Sequence, residues 1–116
     1  MSVMLTVRPV NGQPIVILDV SGRLTLAGGA GEFHDKILDL LTKGWKNIIL
    51  NLAECSYIDC SGTAELVQAF TTVVNRGGQL KLLNITKRLK DLLQITKLYT
   101  VFDIHDDEAA AVRSFR

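Results

Sequence analysis

The stretch Ser56-Tyr57-Ile58-Asp59-Cys60-Ser61-Gly62-Thr63-Ala64-Glu65 holds the side chains best placed to do chemistry. Asp59 and Ser61 have short oxygen-bearing side chains, the kind that cap free backbone N–H groups where a helix begins. Gly62 lets another surface come close to the backbone. A helix N-terminus offers amide donors and tolerates added negative charge, so a phosphate placed on a hydroxyl here is partly accommodated. The same phosphate repels Asp59 and any acidic surface brought against it. These residues fit a binary switch. They fit an ordinary helix cap equally well, and on residue types alone the cap is the commoner use.

Cys60 carries a second chemistry. A cysteine at a helix N-terminus can have a lowered pKa and serve as a redox-sensitive group. The alternative is a small inert side chain, favoured because no Lys, Arg or His stands beside it in sequence to stabilise a thiolate. Cys55 and Cys60 lack the second Cys or His pair of a zinc site, and a reducing compartment disfavours a disulfide between them. The cluster Ala27-Gly28-Gly29-Ala30-Gly31 lacks the Lys-Ser/Thr ending and spaced glycines of a phosphate loop, and reads as a loop leading into a helix. His34 reads as a surface or boundary residue, and Trp45 as a shield for the core edge. Lys87, Arg88 and Lys90 form a small basic group, either a solvated helix face or a site for an acidic protein partner. Asp106-Asp107-Glu108 suits a helix start, where the dipole favours acids, and lacks the spacing of octahedral or EF-hand ligands. No metal, cofactor or catalytic residue is expected, since there is no Cys-x-x-Cys, no evident base beside a nucleophile and no nucleotide fingerprint.

The elements that must position these residues follow from periodicity. Val3 to Arg8 alternates roughly, Pro9-Val10-Asn11-Gly12 marks a turn, and Ile15 to Val20 is a β-branched run, so the two segments predict a hairpin. Phe33, Ile37, Leu40 and Leu41 are spaced for a helix over Glu32 to Lys43, with Gly44 as its C-cap. Asn47 to Leu52 is nearly continuous in apolar residues, as in strands buried on both faces. Cys60 to Arg76 predicts a helix with Leu66, Phe70, Val73 and Val74 on one face, stopped by Gly77-Gly78. Leu80 to Leu83 predicts a strand. Thr86 predicts the N-cap of a helix over Lys87 to Gln94, with Leu89, Leu92 and Leu93 inward. Tyr99 to Phe102 predicts a last strand, followed by a last helix. The order β-β-α-β-α-β-α-β-α predicts one α/β domain over 1–116, with a mostly parallel mixed sheet of about five strands packed by about four helices.

Bulk composition agrees. The 116 residues are 47% hydrophobic and 22% charged, with a formal net charge of +1. That excludes disorder and lacks the strongly basic balance of a general nucleic-acid binder. No apolar run approaches the ~20 residues of a membrane helix, and the first six residues do not look like a signal peptide. A cytoplasmic protein is expected, with no nucleic-acid or membrane partner, as a monomer or weak homodimer.

On these residues the chain resembles the STAS family, specifically the bacterial anti-sigma factor antagonists, over nearly its full length. The family pattern after the third strand reads roughly Asp-Ser-Ser/Thr-Gly, and here it is Asp59-Cys60-Ser61-Gly62. The flanks are similar too: Ile48-Ile49-Leu50-Asn51-Leu52 before it, Gly77-Gly78-Gln79-Leu80-Lys81-Leu82 after it, then Leu89-Lys90-Asp91-Leu92-Leu93. The resemblance implies a non-enzymatic antagonist that docks on an anti-sigma factor of the serine kinase type, frees the sigma factor, and is released when the kinase phosphorylates the first hydroxyl residue after the aspartate.

That acceptor position is Cys60, which ordinary Ser/Thr phosphorylation does not use. Ser61 is the neighbouring hydroxyl and the acceptor candidate, displaced by about 100° around the helix. The family's Gly-Glu-Leu-Asp at the end of the second strand is Gly22-Arg23-Leu24-Thr25 here, so both acidic positions are lost, and Thr63 stands where leucine is common. The resemblance places the partner-binding surface on Asp59, Cys60, Ser61, Gly62, Thr63 and Ala64, with Arg23 and Thr25 from the 22–28 segment. The alternative is a STAS scaffold or regulatory module, stressosome-like or accessory to transport, that phosphorylation does not control.

Overall fold

The β-branched run at Ile15 begins the longest strand, around which the sheet is assembled. The computed structural model describes residues 3–10, 12, 14–25, 30–95, 97 and 102–115, without the side chains of Ala30 and Cys60. In chain order the elements are β1 (Val3–Pro9), β2 (Ile15–Leu24), α1 (Ala30–Thr42), β3 (Asn47–Asn51), β4 (Cys55–Ile58), α2 (Cys60–Asn75), β5 (Gln79–Leu83), α3 (Lys87–Ile95), β6 (Asp103–His105) and α4 (Glu108–Arg113). The expected hairpin is present: β1 runs antiparallel to β2, with Leu5 opposite Val20 and Val7 opposite Leu18. The remaining pairings, β2 with β3, β2 with β4, β3 with β5 and β5 with β6, are parallel. The sheet order is β1-β2-β3-β5-β6, with β4 beside β2.

The α/β class and mostly parallel sheet are as expected, with six strands among the described residues rather than about five. The additional strand is β4. Its four residues fall in the stretch that reads as a connection between a strand and a helix. The last strand is Asp103–His105. Of the segment expected there, residues 99–101 lie outside the described residues, and Phe102 is a buried residue just before β6.

Alternation along the central strands divides the core in two. Val16, Leu18, Val20, Ile48, Leu50, Leu80 and Leu82 face α1, α2 and α3 with Phe33, Ile37, Leu66, Leu89 and Leu93. Ile15, Ile17, Ile49 and Leu83 face the other way, onto Ala111 of α4 with Val112 and Phe115 packed beside it. Burial on both faces is why β3 reads as a continuous apolar run. The α1 apolar positions are buried as spaced, whereas α2 buries Leu66, Ala69 and Val73 and leaves Val74 46% exposed. Both long helices stop with paired hydrogen bonds back into the last turn: Trp45 N to Leu40 O and Gly44 N to Leu41 O, each 3.1 Å, and Gly78 N to Val73 O and Gly77 N to Val74 O, each 2.9 Å.

The α4 face is tied down by charge. Arg8 donates from Nε and Nη2 to the two carboxylate oxygens of Asp19 (Nη2 to Oδ1, 2.9 Å), and its Nη2 also reaches Glu108 Oε1 at 3.0 Å. Asn51 Nδ2 donates to Asp19 Oδ1 at 2.8 Å. The Arg8 hydrogen bonds hold the Asp19 carboxyl below the usual carboxylate range, against the opposing effect of burial and with help from Asn51. A folded-state pKa below the unfolded one contributes stability above the ordinary value of about 4 and loses it as pH falls through the folded value. Asp19→Asn is therefore expected to flatten the fall in stability between about pH 5 and pH 2. Urea melts at stepped pH check this, and equal slopes for the two proteins would refute the assignment.

Candidate functional site

The expected site lies where β2 outruns β3. Ile15–Asp19 of β2 pair with β3, and Gly22–Leu24 pair with β4. The chain makes that step through a short turn closed by Cys55 N to Leu52 O at 3.1 Å, with Gly22 N donating to Glu54 O at 3.0 Å. Gly22 lies opposite Cys55 but Arg23 lies opposite Tyr57, so Ser56 is the extra residue of a bulge. Ser56 Oγ donates to Gly22 O at 3.0 Å across it. Gly22 has φ of +95°, a conformation that side chains with a Cβ rarely adopt.

From the end of β4 the chain enters α2 directly. Asp59 is the N-cap: its Oδ1 accepts from Gly62 N at 2.8 Å, and its carbonyl accepts from Thr63 N at 3.0 Å and Thr63 Oγ1 at 3.1 Å. The cap is anchored to the sheet by Asp59 N to Leu24 O at 3.4 Å. Gly62 sits against that same carbonyl. A Cβ there would meet Leu24 O at 2.2 Å and Ile58 Cγ1 at 2.7 Å. The surface that Gly62 admits is thus the chain's own second strand.

The expected site residues divide by exposure. Asp59 and Ser61 are half-buried, and Ala64 and Arg23 are exposed. Gly62, Thr63 and Thr25 are buried, so they shape the start of α2 from beneath. Both readings of the Cys60 thiol, redox-sensitive or inert, fall outside the described residues, as do positions 26–28 of the 22–28 segment. Cys55 is a free, buried cysteine whose Sγ approaches Tyr57 O at 3.6 Å, and burial pushes its thiol up. That favours the neutral thiol over the reactive thiolate.

Tyr57 is the residue that sequence reasoning missed. The Arg23 guanidinium carbon lies over its ring at 5.3 Å from the centroid, and that of Arg88 at 4.4 Å. The basic group of α3 is therefore joined to the end of β2 through an aromatic ring on β4. Residues 23, 57 and 88 share no local pattern, so only the composition of each segment hinted at it.

The other candidates have plain surroundings. His34 Nδ1 lies 3.3 Å from Glu65 Oε1, a close approach between α1 and α2 without the alignment of a hydrogen bond. Trp45 packs half-buried against the main core. Asp107 caps α4, accepting from Ala110 N at 3.0 Å. Among the described residues no three His, Cys, Asp or Glu side chains converge to hold a metal ion, and no helix is long and apolar enough to cross a membrane. What the lip can do chemically is bind: it offers a helix N-terminus, a half-exposed hydroxyl at Ser61 and two arginines over the Tyr57 ring to one side.

Comparison with known proteins agrees with this architecture. The model of the STAS domain family matches residues 7–111, and the chain belongs to that family. The anti-sigma-B factor antagonist of Bacillus subtilis (strain 168) is 36% identical over 75 residues, 65% of this chain and 68% of that one. An anti-sigma factor antagonist from Mycobacterium paratuberculosis superposes with a TM-score of 0.84 at 13% identity, covering 97% of this chain and 93% of that one. The Bacillus cell-fate determinant SpoIIAA, in its phosphorylated form, superposes with a TM-score of 0.74 at 19% identity, covering 97% of this chain and all of that one (100%). At these identities the two structures speak for the fold alone.

Proposed function

We propose that this protein is an anti-sigma factor antagonist, a cytoplasmic binding protein that engages an anti-sigma factor and so releases the sigma factor for transcription. One observation carries the reading: a half-exposed Asp59–Ser61 lip at the start of α2, in a STAS chain 36% identical to an anti-sigma-B factor antagonist over the stretch they share. Asp59, Ser61, Ala64 and Arg23 supply the contact surface, with Cys60 at its centre by sequence. Gly62, Thr63 and Thr25 hold its shape. Binding is by surface complementarity and involves no catalytic step by this chain.

Ser61 is the acceptor for regulatory phosphate in this proposal. Its half-buried position in the first turn of α2 places added charge at the positive end of the helix dipole, which favours it, and next to Asp59, which does not. The doubly charged group also changes the surface a partner meets.

Titration calorimetry against the purified anti-sigma factor of the same organism tests the antagonist role. Saturable binding is expected, and Ala64→Arg, which places a long charged side chain on the exposed first turn, is expected to weaken it by about tenfold or more. Absence of binding by the unmodified and phosphorylated protein alike would end the proposal. Incubation with the kinase and ATP, followed by site mapping, is expected to place phosphate on Ser61. If none is incorporated anywhere, the chain is a constitutive antagonist or a regulatory module of another kind, and a large stable assembly in size-exclusion chromatography would favour the latter.

A further inference from the structure

We propose that Arg23 and Arg88, both held over the Tyr57 ring, form a carboxylate-reading surface beside the α2 lip, and that the bound partner presents an acidic segment to it. The inference rests on the antagonist reading and names the chemistry of the partner's contact.

Three observations converge on it. First, both guanidiniums are exposed, and among the described residues neither joins an ion pair or hydrogen bond. Arg8, by contrast, is spent on Asp19 and Glu108. A guanidinium held over an aromatic face by cation–π attraction uses no N–H donor on an acceptor oxygen, so its donors stay available to a planar acceptor such as a carboxylate. The attraction also restrains two long side chains in advance, which lowers the ordering cost of binding. Second, Arg88 and Lys87 open α3, and no acidic residue lies in that first turn. Positive charge at a helix N-terminus opposes the helix dipole. An arriving carboxylate meets the arginine and the dipole with the same favourable sign.

Third, the patch is built into the site. The bulge at Gly22 brings Arg23 opposite Tyr57, and the next pair along, Leu24 with Ile58, supplies both groups on which Gly62 rests. A partner covering Ser61 and Ala64 therefore has the arginines at the margin of its footprint, where charge steers encounter and selects partners. The whole chain carries only +1, and the patch is compact instead of a long basic track, which favours an acidic protein segment over a nucleic acid.

The test is calorimetric titration of the same purified anti-sigma factor with wild type, with Arg23→Glu/Arg88→Glu, and with Lys46→Glu/Arg76→Glu. The last pair makes the same change in net charge at the start of β3 and at the far end of α2. Far-UV circular dichroism and melting curves establish that each variant is folded. The Arg23/Arg88 variant is expected to raise Kd by about tenfold or more and to lose most of the weakening by salt, while the control pair changes Kd by less than about twofold. Equal affinity of wild type and the Arg23/Arg88 variant, with Ala64→Arg still weakening the complex, would overturn this inference and leave the antagonist role standing. Equal losses in both double variants would overturn it as well, by assigning the effect to net charge. Failure of wild type to bind would overturn both. A short DNA duplex is titrated in parallel: if only DNA binding responds to Arg23 and Arg88, the patch reads nucleic acid and the inference falls.

Discussion

Gly62→Ala is expected to destabilise the fold by about 3 kcal/mol, equivalent to a fall in melting temperature on the order of 10 °C. The added Cβ would lie 2.2 Å from the Leu24 carbonyl oxygen and 2.7 Å from Ile58 Cγ1. One obstacle is backbone held in the sheet, and the other is a core side chain buried to 2% exposure, so neither can swing aside cheaply. Relief requires the first turn of α2 to lift away from β2, stretching the Asp59 N to Leu24 O hydrogen bond that already spans 3.4 Å. The intrinsic preference of alanine over glycine in a helix, up to about 1 kcal/mol, offsets only part of this cost. The same movement displaces Ser61 and Ala64, so affinity for the anti-sigma factor should fall even at temperatures where the variant stays folded. Gly31→Ala is the matched control, since a Cβ at that position of α1 meets nothing within 4 Å. It is expected to be neutral or to stabilise by up to about 1 kcal/mol. Urea denaturation of the three proteins reads both effects, and a Gly62→Ala midpoint equal to that of wild type would show the contact to be soft.

Asp103→Asn and Lys81→Met should differ in their cost, although they remove the two halves of one ion pair. Lys81 lies on β5 facing α4, 7% exposed, with its ammonium hydrogen-bonded to Asp103 Oδ2 and 4.9 Å from the Phe115 ring centroid. Asp103 on the edge strand β6 keeps a side chain 50% exposed. Removing the carboxylate strands a buried cation, and a loss of about 2 kcal/mol is expected, below the range for a fully buried pair because Asp103 is half in water. Replacing Lys81 by methionine leaves an acid that water can solvate and fills the same space beside Phe115, so a change within about 1 kcal/mol is expected. Burial acts to raise the Asp103 pKa, but the hydrogen bond from Lys81 and the close approach of His105, whose Nε2 lies 3.1 Å away, outweigh it and hold the carboxyl below the usual range. That contribution is present at neutral pH and is lost as pH falls below about 4, so Asp103→Asn should also lessen acid sensitivity. Thermal melts at neutral and acid pH decide it; equal destabilisation by both substitutions would contradict the burial argument.

Much of the scaffold was legible because it is written in local periodicity. The Phe33-Ile37-Leu40-Leu41 spacing, the apolar run through Ile48 to Leu50 and the caps at Asp59 and Thr86 each depend on residues within a turn or a strand of one another. The strand β4 was not legible, since Cys55-Ser56-Tyr57-Ile58 is short and becomes a strand only by pairing with Gly22–Leu24, some thirty residues earlier. The apolar spacing puts Val74 on the inward face of α2, whereas the structure buries Ala69 there, because a large apolar side chain marks a face more strongly than alanine while burial depends on what packs opposite.

By itself the sequence determined that this is an α/β chain of STAS pattern with a capped helix start at Asp59-Cys60-Ser61-Gly62, since capping and amphipathicity act over a few residues. Only the tertiary structure decided which of those residues face outward, that Gly62 is required by the Leu24 carbonyl, and that Arg23 and Arg88 meet over Tyr57. Those facts belong to contacts between segments far apart in the chain, and the parallel pairing of β2 with β4 brings them together. A one-residue shift of that pairing would turn Arg23 away from Tyr57, because side chains alternate between the two faces of a sheet.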